Sequence, residues 1–407
     1  DPAAWRAAAP AAPPNALRPK TITAPAVRAA DSVVGEPHRY SALRSALPTF
    51  WLPVAFGDTV LGRFFGVATF GMDDVNRHTY YADLAYDFEH GRVSGHLNYS
   101  YAGLGNPVIN LDVVRDWDDL AAFLRDTAGQ VTRLKAFERE DRVTLSATLR
   151  NRKWRRSAAL ELGVEGVELQ RGIMDAAAQF RDPRDRMVGV LAGIGFGRYR
   201  APAYAISLED GARGSVFGRR RFERNPFPGR DASYSEYTAT GAAYKSIDGF
   251  GFAHQAVALR GSALLRTGTG VGPESVGGVV DFLPVRGFDK EARIGYRAWS
   301  ASLEYRLPVA LIGRGYKLRP LFIDRVSATL FTDAGNAYCS GEQQQVYAGC
   351  PGAPGRGAST LLSIGAEVNA NVAVLSFFPA WIRGGWALPV SGGPRRVRGY
   401  VTLGQSF

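Results

Sequence analysis

The chain has 407 residues, enough for two or three soluble domains or for one β-barrel of about sixteen strands. Its 47 glycines, 17 tyrosines, 22 phenylalanines and 7 tryptophans, beside 2 cysteines and 3 methionines, suit a strand-rich fold better than a helical enzyme. The formal charge is +11, yet the arginines are scattered along strands and loops and do not interleave with aromatics on one helix, which speaks against a nucleic-acid partner.

Residues 1–48 read as an Ala/Pro-rich linker or periplasmic tail, with Ala7 to Pro14 almost wholly Ala and Pro. The opening at Asp1, with neither Met nor a signal peptide, predicts a processed form or the C-terminal part of something longer. From residue 49 to 407 short alternating strands follow one another between turn residues. In Tyr80 to Phe88, Ala82, Leu84, Tyr86 and Phe88 share one face, with Asp83 and Asp87 on the other. Its hairpin partner sets Val93, Leu97, Tyr99 and Tyr101 against Ser94, His96, Asn98 and Ser100. In Asp141 to Arg150, Val143, Leu145, Ala147 and Leu149 oppose Arg142, Thr144, Ser146, Thr148 and Arg150. The further strands are 49–56, 59–73, 107–116, 154–168, 187–199, 202–217, 232–246, 252–266, 295–308, 324–338, 359–373, 377–390 and 394–407, sixteen in all.

The last of these places Val397, Val401, Leu403 and Phe407 on one face and Arg396, Arg398, Tyr400, Thr402 and Ser406 on the other. A strand between oil and water that closes on an aromatic is the usual end of a bacterial outer-membrane barrel. Val401, Leu403 and Phe407 are its closing-strand signal, although Gln405 stands where many such strands carry a second aromatic. No stretch approaches the ~20 apolar residues of a spanning helix. Val372 to Ile382, the longest, carries Ser376 and Pro379, so membrane residence must be by barrel. With 49–56 running outward, the long connections 117–139, 169–186, 218–231, 267–294 and 339–358 fall on the external side. The short ones, 74–76, 103–106, 152–153, 200–201 and 247–251, fall on the periplasmic side, and 309–323 is the exception. Arg213, Arg219, Arg220, Arg221, Arg224 and Arg230 would face lipopolysaccharide phosphates or line the lumen.

Within 267–294 stands Val285-Arg286-Gly287-Phe288, after Gly268-Thr269-Gly270-Val271-Gly272 and Gly277-Gly278. Ser302-Leu303-Glu304-Tyr305-Arg306-Leu307-Pro308 and Phe331-Thr332-Asp333-Ala334-Gly335-Asn336 follow it. This order resembles the BamA and TamA type outer-membrane assembly factors, the bacterial surface antigen superfamily. The resemblance implies an all-β, sixteen-stranded antiparallel transmembrane barrel with a lumen-inserted loop. It also implies that the motif arginine contacts acids on the following strands, with Glu304, Arg306, Asp333 and Gly335 as partners of the loop lock. Strand parity agrees by itself: with Trp299, Leu303 and Tyr305 toward lipid and Val326, Ala328 and Leu330 likewise, Glu304, Arg306 and Asp333 point inward. A planar cation at Arg286 suits that acidic site. No POTRA-like segment stands in residues 1–48, and Arg39 to Pro53 looks like the junction by which TolB-like propellers join such barrels.

Catalytic signatures are missing from the pattern. The five histidines are dispersed, there is no HExxH, clustered Cys/His spacing or GxSxG before a helix, and Gly268 to Gly272 lacks the Lys-Ser/Thr of a phosphate loop and reads as loop flexibility. No metal, cofactor or enzymatic activity is expected. Cys339 and Cys350, in one external loop, are expected to form a disulfide in an oxidising compartment. The expected function is insertion of barrel proteins, or passage of polypeptide or lipid, across the outer membrane. Its partners would be outer-membrane lipid, lipopolysaccharide and an N-terminal periplasmic domain or partner protein. The alternatives are a passive porin-like channel, and an anchor or secretion pore for an N-terminal catalytic or propeller domain.

Overall fold

A computed structural model describes residues 40–404, apart from 43–46, 59–61, 89–90, 126–130, 176–177, 182–183, 225–232, 269, 316–320, 342, 344–358 and 375–377. The chain divides after Ala42, and most of the first unit, like most of the expected 1–48 tail, lies outside the described residues.

The second unit is a sheet. Its strands are β1 (Leu52–Asp58), β2 (Gly62–Met72), β3 (His78–Asp87), β4 (Arg92–Tyr101), β5 (Val108–Arg125), β6 (Val131–Lys153), β7 (Arg156–Asp175), β8 (Ala178–Arg181), β9 (Asp185–Arg200) and β10 (Glu209–Glu223). They continue as β11 (Tyr234–Ile247), β12 (Gln255–Gly268), β13 (Glu274–Val276), β14 (Arg293–Gly295), β15 (Arg297–Gly315), β16 (Leu321–Tyr338), β17 (Leu361–Val374), β18 (Phe378–Ser391) and β19 (Arg398–Leu403). Short β8 pairs antiparallel with the end of β7, and β13 and β14 pair with each other inside the long connection before β15. The remaining sixteen strands form an antiparallel meander, each hydrogen-bonded to the next in chain order.

The two faces of this sheet are inverted relative to a soluble protein. On β9, Met187 and Leu191 are buried while Val188, Val190, Ile194 and Phe196 stand exposed, and Leu303 and Leu330 are exposed on β15 and β16. The buried face instead carries Asp87, Ser94, Glu165, Arg221, Glu304, Asp333, Glu367 and Arg383. Apolar side chains standing outward in a continuous band, with charges sheltered on the other face, are what a strand between lipid and a polar interior requires.

Several boundaries differ from the sequence expectation, in two ways. The supposed loops 117–139 and 169–186 are mostly strand, because β5, β6 and β7 run on to Arg125, from Val131 and to Asp175. There Arg115–Asp141, Arg139–Glu168 and Arg171–Glu138 pair across strands. Charge pairs of this kind across the ladder support strand pairing where the apolar alternation of the sequence fades. Likewise 309–323 shrinks to 316–320 between β15 and β16, which removes the one long connection on the wrong side. At the opposite extreme, β10 begins only at Glu209, so the 200–201 turn is the longer segment 201–208, and among the described residues the closing strand is Arg398–Leu403. Phe407 lies outside the described residues.

Candidate functional site

The connection from β12 to β15 folds onto the inner face and is buried there. Val276, Leu283 and Val285 pack with Leu264, Ala298, Ala337 and Leu361 in one apolar cluster. A second attachment lies on another wall, where Val271 packs against Val167, Leu169, Met187 and Tyr234 and Arg171 donates to the Gly270 carbonyl at 3.1 Å; on β12 itself Arg266 donates to that of Gly272 at 3.0 Å. The glycine run expected to confer flexibility is therefore a close-approach segment whose bare backbone accepts from the wall.

At the loop's tip the backbone turns at Gly287, where φ is 91° and a Cβ would lie 2.9 Å from that of Ala387. Only glycine takes this turn without strain. The turn drives Arg286 into the wall with 2% of its surface exposed. Its Nε and Nη2 donate to Asp333 Oδ2 and Oδ1, each at 2.7 Å, and its backbone N–H adds a third bond to Oδ2 at 3.0 Å. Nη2 also reaches Ser302 Oγ at 2.8 Å and Glu304 Oε1 at 3.0 Å, and the guanidinium lies 3.5 Å over the Phe331 ring. A planar fork can meet two carboxylates and stack on a ring at once, which an ammonium cannot.

The structure thus brings Arg286, Glu304 and Asp333 together. Val285 and Phe288 are buried beside Arg286, and Gly335 leaves room for the loop: a Cβ there would sit 2.6 Å from Val285 Cγ2. Arg306 holds the other oxygen of Glu304 at 2.6 Å, and Arg260 closes on Oε1. Beyond these, parity reasoning missed a second ring of partners. Glu367 on β17 lies 3.6 Å from Arg286 Nη1, accepts from Arg383 Nη2 at 2.9 Å, and takes a 2.8 Å bond from the Tyr400 hydroxyl on β19. Inward parity on the strands expected at 359–373, 377–390 and 394–407 was the available signal; what it lacked was strand register, which decides who meets whom. Val401 and Leu403 of the closing strand face outward, 79% and 72% exposed. Cys339 is buried beside Tyr296 and Val271, whereas Cys350 lies outside the described residues. Of the arginine group, Arg221 is buried against Glu165, Glu140 and Tyr234, Arg219 pairs with Glu236, and Arg230 lies outside the described residues.

No family model and no curated protein sequence matches the chain. Solved structures do. BamA from Haemophilus ducreyi lacking POTRA domains 1–3 superposes with a TM-score of 0.55 at 14% identity, covering 87% of this chain and 69% of that one. The chain has the fold of a BamA-type barrel. CdiB from Acinetobacter baumannii and CdiB from Escherichia coli are similar as well, each with a TM-score of 0.54 at 12% identity. They are covered over 58% and 63% of their own length and over 87% and 88% of this chain. The chain therefore spans about three fifths of the CdiB proteins and just over two thirds of the BamA chain.

Proposed function

We propose that the sheet closes β1 against β19 into a sixteen-stranded barrel. On this reading the barrel inserts barrel proteins, or passes polypeptide or lipid, across the outer membrane. The observation that carries this reading is the loop clamped across the inner face by buried Arg286. A passive channel has no use for a plug secured by a buried ion network, which is costly to assemble and costly to break. Beside the plug, a cavity of about 680 Å³ remains between Val280, Phe282 and Pro284 of the loop and wall residues such as Arg213, Thr240, Ser262 and Ser300. The role is mechanical rather than catalytic, and needs no cofactor. A periplasmic domain or partner protein supplies the substrate, as the uncovered length of the BamA and CdiB chains suggests.

Two reconstitutions test the reading. In proteoliposomes the full chain is expected to speed the folding of a urea-unfolded outer-membrane barrel, and in planar bilayers to conduct little until Arg286 is replaced. A steady, porin-like current from the unaltered chain, with no acceleration of folding, would overturn it.

A further inference from the structure

On the outward face, at the end of the sheet that carries the short turns, three cations stand in a row on neighbouring strands. Lys153 of β6 is directly opposite Arg156 of β7, and Arg156 directly opposite Arg198 of β9. All three are exposed, and among the described residues none has a carboxylate within ion-pair distance. Like charges facing each other across a ladder, with Cβ atoms about 5 Å apart, oppose folding unless something neutralises them. Trp154, 96% exposed in the turn between Lys153 and Arg156, stands where amphipathic rings sit at a membrane surface.

Immediately beyond this row, toward the centre of the apolar band, lies an outward groove of about 550 Å³. Leu149 and Leu160 form one side, Ile194, Phe196 and Val216 the other, and Ala158 the floor between Asn151 and Phe196. Ala158 is two residues from Arg156, so the groove opens roughly 7 Å from the cations. A channel shaped for a chain of methylenes thus ends at three unneutralised donors.

We propose that this is a binding site for an anionic phospholipid of the periplasmic leaflet, with an acyl chain in the groove and the phosphate among Lys153, Arg156 and Arg198. The site rests on the reading above, in which the strands cross the outer membrane with their short turns in the periplasm. Charge complementarity selects the occupant: a zwitterionic lipid brings its own cation to the row, whereas phosphatidylglycerol brings only the anion.

The test is native mass spectrometry of the full chain, folded in detergent and titrated with phosphatidylglycerol or phosphatidylcholine of equal chain length. One phosphatidylglycerol is expected to bind in preference, and Lys153→Gln, Arg156→Gln and Arg198→Gln each to weaken it roughly fivefold. Ala158→Phe, which fills the groove, is expected to weaken both lipids alike. Arg314→Gln, at an exposed cation at the same end of the sheet but with Ile323 opposite it, is expected to change nothing. Equal binding of the two lipids, preference for lipopolysaccharide, or an equal loss with Arg314→Gln would overturn the site. Each sample is also run unheated on gels: a chain that migrates as a folded barrel yet shows no preference refutes the lipid site alone, whereas one that never gains a folded form in detergent or bilayer refutes the barrel reading.

Discussion

The wall that holds the loop and the strands at the two ends of the sheet are built on opposite terms. β15 and β16 have 19 and 18 residues and share a buried ion network, whereas β1 and β19 have 7 and 6. Pro53 removes a backbone donor from β1, and β19 hangs from β18 by a short ladder between Ala387↔Arg398 and Ile382↔Leu403. One chain thus contains a long, locked wall and short, lightly paired end strands. The two are also connected. Tyr400 on β19 bonds to Glu367 of the lock, and Arg398 pairs with Asp289, three residues past the motif arginine. The short terminal strand is therefore bonded directly to the loop and to the network around Arg286.

Removing the lock should break this contrast most severely. Arg286→Ala leaves Asp333 buried without its cation, while Glu304 keeps Arg306 and Arg260 and Glu367 keeps Arg383, at an expected cost of about 3–5 kcal/mol. The checks are a lower temperature for loss of the compact gel form and new protease cleavage within 269–296. Arg286→Lys should recover only part of both.

Next in size is an insult to the lipid face of the same wall. Leu303→Arg should cost about 2–4 kcal/mol if the residue lies near the bilayer midplane, measured as a shift in urea-induced unfolding from lipid vesicles. The neighbouring Ser302 is no benign control, because it bonds to Arg286 and to Asp333 at 2.8 and 2.7 Å. Arginine at Ser327, inward on β16 and away from the lock, should be milder. Equal penalties at Leu303 and Ser327 would mean the two faces do not meet different media.

Gly335→Ala tests whether the loop's seat is tight. The added methyl meets Val285 and the Trp299 carbonyl, and overpacking of this kind should cost about 1–3 kcal/mol. It should raise protease access to the loop while leaving the strands intact.

Smallest in free energy, but most informative about the connection, is Tyr400→Phe. Losing one bond to a carboxylate should cost about 1–2 kcal/mol and should be felt on β19 alone. Faster amide exchange in Arg398–Leu403 with unchanged exchange in β15 and β16 would confirm that the terminal strand borrows its order from the lock. Uniform change across the sheet would refute it.

Much of this architecture is legible in the amino-acid sequence. The strand count and the inward direction of Glu304, Arg306 and Asp333 follow from period-2 alternation, which lipid on one side and a polar interior on the other impose residue by residue. The motif resemblance supplies the arginine. What stays hidden depends on pairing at a distance: Glu367, Arg383 and Tyr400 each carry the right parity, but only register brings them to the height of Arg286. The extensions of β5, β6 and β7 are hidden for the converse reason, since their sequence lacks the period-2 alternation that marks the other strands.

Those extensions have a consequence for whatever comes from outside. A tilted strand needs about 10 residues to cross the hydrocarbon. β6 has 23 and its neighbours 18 and 20, so in the proposed orientation a hairpin wall braced by arginine–carboxylate pairs stands well clear of the lipid on one flank. The flank formed by β18 and β19 has no such height. An antibody, a phage fibre or a neighbouring cell would touch the tall, charged flank first and find the yielding strands in its lee, so sequence drift driven by recognition should concentrate between Trp117 and Arg139 while the low flank stays quiet.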